Sequence, residues 1–431
     1  MADTRQHKPD AAEGKRQSLL GRLGPGLISG ASDDDPSGIG TYSQAGAQLG
    51  YGIGWTMLLT YPLMAAIQEI SARIGRVTGH GIAGNLARHG SQPLLHAMVA
   101  LLAIANVINI AADLAAMADA TKLLIGGPVV AYIVVFGIGS VLAEIFLSYE
   151  RYVTVLKWIT LSLFAYVAVL FVINVPWGKA LAGIFIPHIT WTAAFLTTLV
   201  ALFGTTISPY LFFWQASGEA EDQRIDPHKH PLKRSPADAV GEFRRIRADT
   251  LVGMAFSNII AIAIIVATAA TLHDKGITQI ETSAQAAKAL EPIAGIFAEM
   301  IFAIGIVGTG LLAIPVLAGA TAYAVGESRN WPVGLARKPR KAIAFNAALA
   351  LSVVIGIAID FTPINPIAAL YWAAVINGVI AVPIMVVMMI MSAQHAVMGR
   401  FVVTGALRFL GWLSTAAMAA CVAAMAVSLV L

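Results

Sequence analysis

Three consecutive aspartates, Asp33, Asp34 and Asp35, stand directly before Pro36 in the run GPGLISGASDDDPSGIGTYSQAGAQLGYGIGW. Clustered carboxylates repel one another when ionised, and oxygen donors of this kind suit hard divalent cations. The flanks are apolar and rich in glycine, so the acids fall inside a stretch that otherwise reads as a membrane span. A charged side chain near the bilayer centre costs about 2.5–3.5 kcal/mol on insertion scales, so a triplet needs a partner. Pro36 removes a backbone donor and clashes with the preceding turn, and Gly26, Gly30 and Gly38 are poor helix formers. The simpler alternative is a polar surface loop, but its apolar flanks are too short to make two spans. The stretch is therefore read as one span broken at its middle.

A second interruption lies in FLTTLVALFGTTISPYLFFWQASGEAEDQ, where Gly204, Thr205, Thr206, Ser208 and Pro209 fall within an apolar run. A proline kink packed against a neighbour accounts for it more simply. Position favours a true break, because the two interruptions occupy the first and sixth spans, the leading helix of each half of a 5+5 repeat. Paired interruptions of this kind mark transporter binding sites. A broken helix leaves carbonyls without intrahelical donors at the end of its first half, at the negative end of the dipole. With Asp35 added, such carbonyls make an oxygen cage for a cation.

The elements that must position these groups follow from composition. The chain has 431 residues, 58% of them hydrophobic and 12% charged, with mean hydropathy +0.75. Soluble domains carry about 25% charged residues, so this is a membrane protein with little chain left for soluble domains. Apolar stretches predict eleven spans at 26–48, 51–72, 93–118, 127–148, 153–175, 192–216, 249–271, 295–325, 342–360, 364–391 and 403–430. The polar segment 1–25 has no short apolar core with a cleavage site and reads as a cytosolic tail. Residues 26–391 then form the core, with repeats at 26–175 and 192–391, a cytosolic loop at 217–248 and an eleventh helix at 403–431. Of 28 Lys and Arg, 24 fall on the side of the tail, and the other side holds only Lys122, Lys179, Lys275 and Lys288. That bias predicts a multi-pass inner (plasma) membrane protein with a cytoplasmic N-terminus and an extracytoplasmic C-terminus. The net charge of +4 is thus membrane orientation rather than a nucleic-acid signal. A single cysteine, Cys421, excludes an intrachain disulfide.

The residues resemble the Nramp family of divalent-metal transporters over nearly the whole chain. The family's first-helix motif Asp-Pro-Gly-Asn is matched by Asp35, Pro36, Ser37 and Gly38. Its sixth-helix Met-Pro-His is matched by Ser208, Pro209 and Tyr210, and Thr205 stands where an alanine carbonyl binds metal. The segments GPGLISG, GAQLGYG and RIGRVTGHG are also similar. The resemblance implies an all-α, LeuT-type 5+5 inverted repeat plus one helix, with helices 1 and 6 interrupted. It implies a metal site of Asp35, Gly38, Thr205, Ser208 and Tyr210. Asp33 and Asp34 lie outside the matched motif; read from their own chemistry, Asp34 or Asp33 holds water beyond the ion or caps the second half-helix. The departures bear on the ion. With the thioether replaced by Ser208 and the amide ligand by Gly38, the environment is all oxygen, which suits Mg²⁺, Mn²⁺ or Ca²⁺. This pattern is similar to the Nramp-related magnesium transporters, so the expected activity is Mg²⁺ transport, with Mn²⁺ beside it.

Asn106, Asn109 and Asp113 share one face of the third span. The resemblance places a proton-route glutamate at Asn106 and an aspartate at Asp113, so one titratable group is kept and one is an amide. Proton coupling and uniport both stay open, as does a polar packing face. In the tenth span Trp372 and Asn377 are polar candidates without an assigned role. Gln215, Glu219 and Glu221 either line an exit or lie solvated at the membrane surface. His228 and His230 lack a third ligand and are not read as a metal site. The expected partners are a divalent ion, the bilayer and, for a symporter, protons; no cofactor is implied. Competing readings are proton-coupled Mn²⁺/Fe²⁺ symport and transport of an organic substrate on the same fold. No HExxH or GxGD motif is present, which argues against an intramembrane hydrolase.

Overall fold

The computed structural model describes residues 29–30, 32–146, 163–226 and 228–430. The proposed tail 1–25, residues 26–28 of the first span and residues 153–162 of the fifth lie outside the described residues. Among the described residues the chain is helical with no strand. In order, the helices are α1 (Pro36–Leu49), α2 (Trp55–Thr78), α3 (Ile82–His89), α4 (Gln92–Ile125), α5 (Val129–Phe146), α6 (Phe164–Val169) and α7 (Trp177–Phe185). Then follow α8 (Ala193–Thr206), α9 (Pro209–Ile225), α10 (Ala239–Thr271), α11 (Ala298–Ser328), α12 (Ile343–Ile359), α13 (Pro366–Ala393) and α14 (Gly405–Val430).

Seven helical stretches among the described residues are long and apolar enough to cross a membrane, and α12 is a shorter apolar helix. Large apolar side chains on the outer surface, including Val135, Phe171, Trp191, Phe409 and Val430, face outward where lipid tails would lie. Two segments differ from the sequence-based spans. Helix α9 runs on through Ile225 and α10 begins at Ala239, so the connection between them shortens to residues 226–238. The polar extensions stay helical because their charged groups pair with one another: Arg245 binds Glu219 and Glu242, and Glu242 also binds Arg76.

Proline alone does not break a helix here. Pro62, Pro315 and Pro383 lie inside the continuous helices α2, α11 and α13. Pro36 and Pro209 instead occupy the first turns of α1 and α9, where the missing N–H has no intrahelical partner to lose. The helix ahead of each is stopped by the residues before the proline.

Close helix contact supplies the rigidity around these breaks. The backbone of α8 at Gly204 meets that of α13 at Ala374 and Gly378, so a Cβ at position 204 would collide with the Ala374 carbonyl. Small residues at such crossings are the usual means of helix association in a membrane. Gly204→Ala is expected to lower the stability of the purified protein by about 1–3 kcal/mol through overpacking. Gly52→Ala, where nothing lies within 4 Å, is the control. Equal thermal midpoints for the two variants in detergent would show that α8 and α13 do not meet this closely.

Candidate functional site

Residues 29, 30, 32 and 33 are helical, 34 and 35 are not, and the helix resumes at Pro36. Asp35 caps that second half from an extended conformation (φ −68°, ψ 171°), its Oδ1 accepting the Gly38 N–H at 2.6 Å. A carboxylate at a helix N-terminus satisfies an orphan donor and faces the positive end of the dipole. In the sixth span α8 ends at Thr206, and Ser208 enters α9 in the extended region (φ −78°, ψ 133°). The Ser208 hydroxyl does not cap α9. It turns back to donate to Gly204 O at 2.7 Å and Thr205 O at 2.9 Å. The break therefore bares its carbonyls less than the sequence suggests, although Thr205 O keeps a second lone pair.

The two breaks meet. The Tyr210 hydroxyl shares its proton between Ser32 O at 2.9 Å and Asp35 Oδ2 at 3.2 Å. On the other side of Asp35, a Cβ at Gly38 would lie 3.0 Å from Asp33 O, 3.3 Å from Thr205 Oγ1 and 3.4 Å from Asp35 Oδ1. The absent side chain of Gly38 thus marks the point where carboxylate, carbonyl and hydroxyl oxygens from both spans converge. Asp35, Thr205, Ser208 and Tyr210 are all buried.

Asp33 and Asp34 are placed differently. Ser257 of α10 donates to Asp33 Oδ2 at 2.6 Å and is 3.1 Å from Asp34 Oδ1, while the remaining oxygen of each acid is buried without a partner. Asp34 is therefore held toward α10 rather than toward Thr205 and Ser208. Sequence reasoning missed Ser257, because one serine in an apolar helix carries no signal. Among the described residues no three His, Cys, Asp or Glu side chains gather as a metal cluster. Any ion at the breaks would depend on one carboxylate, neutral oxygens and water. His228 and His230 form no such cluster either.

Asp113 of α4 is buried beside this point, in the field of Asp35 and turned toward the Ser37 N–H, and neither carboxylate oxygen has a hydrogen-bond partner. Asn106 lies further along the same face, donating to Leu317 O at 3.0 Å and Thr321 Oγ1 at 2.9 Å in α11. A further intramembrane acid escaped the sequence reading. Glu144 of α5 has an oxygen 3.4 Å from where a Gly319 Cβ would stand, and that oxygen is buried and unpartnered. A lone acid in the run VVAYIVVFGIGSVLAEIF was a readable signal.

Among the described residues, hydrogen bonds between elements cross both ends of the site. On one, Gln44 binds Thr278 O, Gln279 Oε1 and the Ile280 N–H, and Thr198 joins Gln48 to Tyr371. Outside this seal lies a cavity of about 470 Å³ lined by Gln44, Gln48, Glu281, Asn365, Tyr371 and Trp372. Trp372 belongs to this vestibule. Asn377 is buried in α13 with its Oδ1 unpaired. On the other face Gln215, Glu219 and Glu221 are buried and bonded, so neither an open exit nor a solvated surface describes them. Gln215 accepts from Ser29 at 2.5 Å, Glu219 pairs with Arg245, and Glu221 accepts from Tyr323 and from the Leu335 and Ala336 N–H groups.

An all-helical bundle with two interrupted, touching spans around a buried polar centre is an architecture that membrane transporters share. The sequence profile of the Nramp family, described as natural resistance-associated macrophage protein-like, matches residues 26–428, and the chain belongs to that family. It is a multi-pass membrane protein with the LeuT-type fold. Among curated relatives, a divalent metal cation transporter MntH of Burkholderia ambifaria is 26% identical over 412 residues, spanning 94% of this chain and 89% of its own. One from Verminephrobacter eiseniae is 27% identical over 329 residues, spanning 69% and 67%. A solved manganese transporter of Eremococcus coleocola superposes with TM-score 0.70 at 15% identity, over 94% of this chain and 85% of its own. The nucleobase-cation-symport-1 transporter Mhp1 does so with TM-score 0.54 at 14% identity, over 94% and 92%. At these identities the solved structures establish the fold.

Tyr210→Phe removes the donor shared by Ser32 O and Asp35. Leaving buried acceptors unmet costs about 1–3 kcal/mol. A lower thermal midpoint in ion-free buffer is expected, and an unchanged midpoint would contradict the bridge.

Proposed function

We propose that this protein carries a divalent metal cation across the membrane by alternating access, holding it between Asp35, Gly38, Thr205, Ser208 and Tyr210. The observation that carries the proposal is the convergence of one buried carboxylate with neutral oxygens from two broken spans. The names of the curated relatives, divalent metal cation transporters, support the metal as cargo. The donor set sets the preference. A thioether favours softer transition metals, whereas Ser208, Thr205 and Asp35 present only oxygen. Such a set accepts Mg²⁺ with some of its water retained, and it also accepts Mn²⁺. Asp34 and Asp33, held by Ser257, lie behind the site rather than among the direct ligands.

The cytoplasm lies on the side that carries 24 of the 28 Lys and Arg, which puts the vestibule of Gln44 and Trp372 outside. An inward-negative potential drives a dication with about 4.6 kcal/mol per 100 mV, so uniport requires no second ion. A second reading, proton-coupled Mn²⁺ symport, is favoured by Asp113, whose bare carboxylate stands beside Asp35 and leads toward Asn106. The manganese transporter among the solved structures adds support for that ion.

In proteoliposomes Asp35→Ala is expected to reduce metal uptake to background while the protein remains folded. Ser208→Met is expected to shift competition toward Mn²⁺ and Cd²⁺ and away from Mg²⁺. Mg²⁺ flux unchanged by both substitutions would place the ion elsewhere. Internal acidification during uptake, lost in Asp113→Asn, is the result expected of symport; a constant internal pH is that of uniport.

A further inference from the structure

A second concavity, away from the broken helices, gathers guanidinium groups from three separate elements. It measures about 190 Å³ and is lined by His80, Arg88, Arg224, Glu327, Trp331 and Arg337. Arg88 stands on α3, Arg224 in the last turn of α9, and Arg337 in the segment that follows α11. Among the described residues their hydrogen bonds go to backbone carbonyls. Arg88 donates to Gly84 O at 3.3 Å, and Arg224 and Arg337 both donate to Val333 O, at 3.2 and 2.9 Å. Among the described residues none of the three forms an ion pair with a carboxylate. Each guanidinium has five N–H donors in a planar fork, so most of that capacity faces the cavity or solvent.

The nearby acids do not cancel this charge by pairing. Glu327, in the cavity wall, accepts the Gly81 and Gly84 N–H groups at 3.0 and 2.8 Å at the start of α3. Glu221, behind it, is held by Tyr323 and the backbone of residues 335 and 336. Three guanidinium groups thus share the lining with one carboxyl group, Glu327. His80 is pushed down to about 4, first by burial and then by Arg88, Arg224, Arg234 and His89. The imidazole is thus neutral at physiological pH and adds a donor without adding charge. Orientation in the membrane asks only that Lys and Arg lie on one side. It does not ask that three of them, from distant points of the chain, converge on one hollow.

We propose that this hollow is a binding site for a phosphate group, supplied either by a free phosphate or by the headgroup of an anionic lipid. Guanidinium forks match phosphate oxygens geometrically, and these charge-assisted bonds are about twice as strong as neutral ones. An occupant would join α3, in the first half of the repeat, to α9 and the post-α11 segment in the second. The site is independent of which metal the broken helices carry.

The test is calorimetric titration of the full-length transporter with inorganic phosphate and pyrophosphate in nanodiscs of phosphatidylcholine alone. Saturable binding is expected, weakened about tenfold by Arg88→Gln and by Arg337→Gln. Lys341→Gln, which removes an exposed charge that is not part of the lining, is expected to leave it unchanged. In nanodiscs containing phosphatidylglycerol, unaltered binding identifies a free anion as the occupant, and competition identifies the headgroup. Absence of binding in phosphatidylcholine, or equal weakening by Arg88→Gln and Lys341→Gln, would overturn the site.

Discussion

Within a bilayer every backbone N–H and C=O must find its partner inside the protein, and the structure is organised by how two spans meet that demand where they break. At the first break Asp35 supplies its carboxylate to the Gly38 N–H, and the Ser32 carbonyl receives the Tyr210 hydroxyl. At the second, Ser208 closes on the carbonyls of Gly204 and Thr205. The solutions are interlocked, because the donor for the first break comes from the helix that begins at the second. Neither interruption is self-sufficient. The close approach of Gly204 to α13 and the seat of Asp33 and Asp34 on Ser257 hold the two in register.

That interdependence extends to the contacts at both ends of the centre. The same α1 that carries Asp35 ends in Gln44 and Gln48, which seal the vestibule side, and the same α9 that carries Tyr210 ends in Glu219 and Glu221, which seal the other. Each seal is made of side-chain hydrogen bonds between elements rather than of interdigitated core. The neutral bonds on the vestibule side contribute about 0.5–1.5 kcal/mol each, and those to the Glu219 and Glu221 carboxylates about 1.5–3. If the proposed alternating access holds, these contacts rather than the packed breaks are the ones that would have to exchange for water.

Much of this was legible in the residues. The fold class, the interruption at Asp35–Pro36 and the interruption before Pro209 all follow from polar or helix-breaking groups within apolar runs. The pairing of the breaks followed from their positions in a repeat. What escaped was directional. Sequence spacing does not tell that Ser208 turns back onto its own helix, that Asp33 and Asp34 turn to Ser257, or that Glu221 receives backbone N–H groups from residues more than a hundred positions away. Helix ends were misjudged for a related reason. The polar turns at 217–225 and 239–248 look like loop because their charges have no visible partners in sequence, yet Arg76, Glu219, Glu242 and Arg245 find one another across three helices.

The position of Ser208 bears most directly on selectivity. A methionine in its place would offer a soft donor and no hydroxyl, leaving the Gly204 and Thr205 carbonyls to be met by an ion or by water. The serine gives those carbonyls a donor of their own within hydrogen-bond distance. An arriving cation must then share Thr205 O with the hydroxyl or turn the hydroxyl away, and either path weakens direct coordination by the backbone. An ion that keeps part of its hydration shell would avoid that competition, since its waters can donate to the remaining carbonyl lone pairs and to the hydroxyl oxygen. Asp35 supplies the charge that such an arrangement needs, and its bond to Tyr210 leaves it oriented before the ion arrives. In the proposed site, the oxygen chemistry of the breaks would discriminate through the water an ion retains as much as through the atoms that touch it.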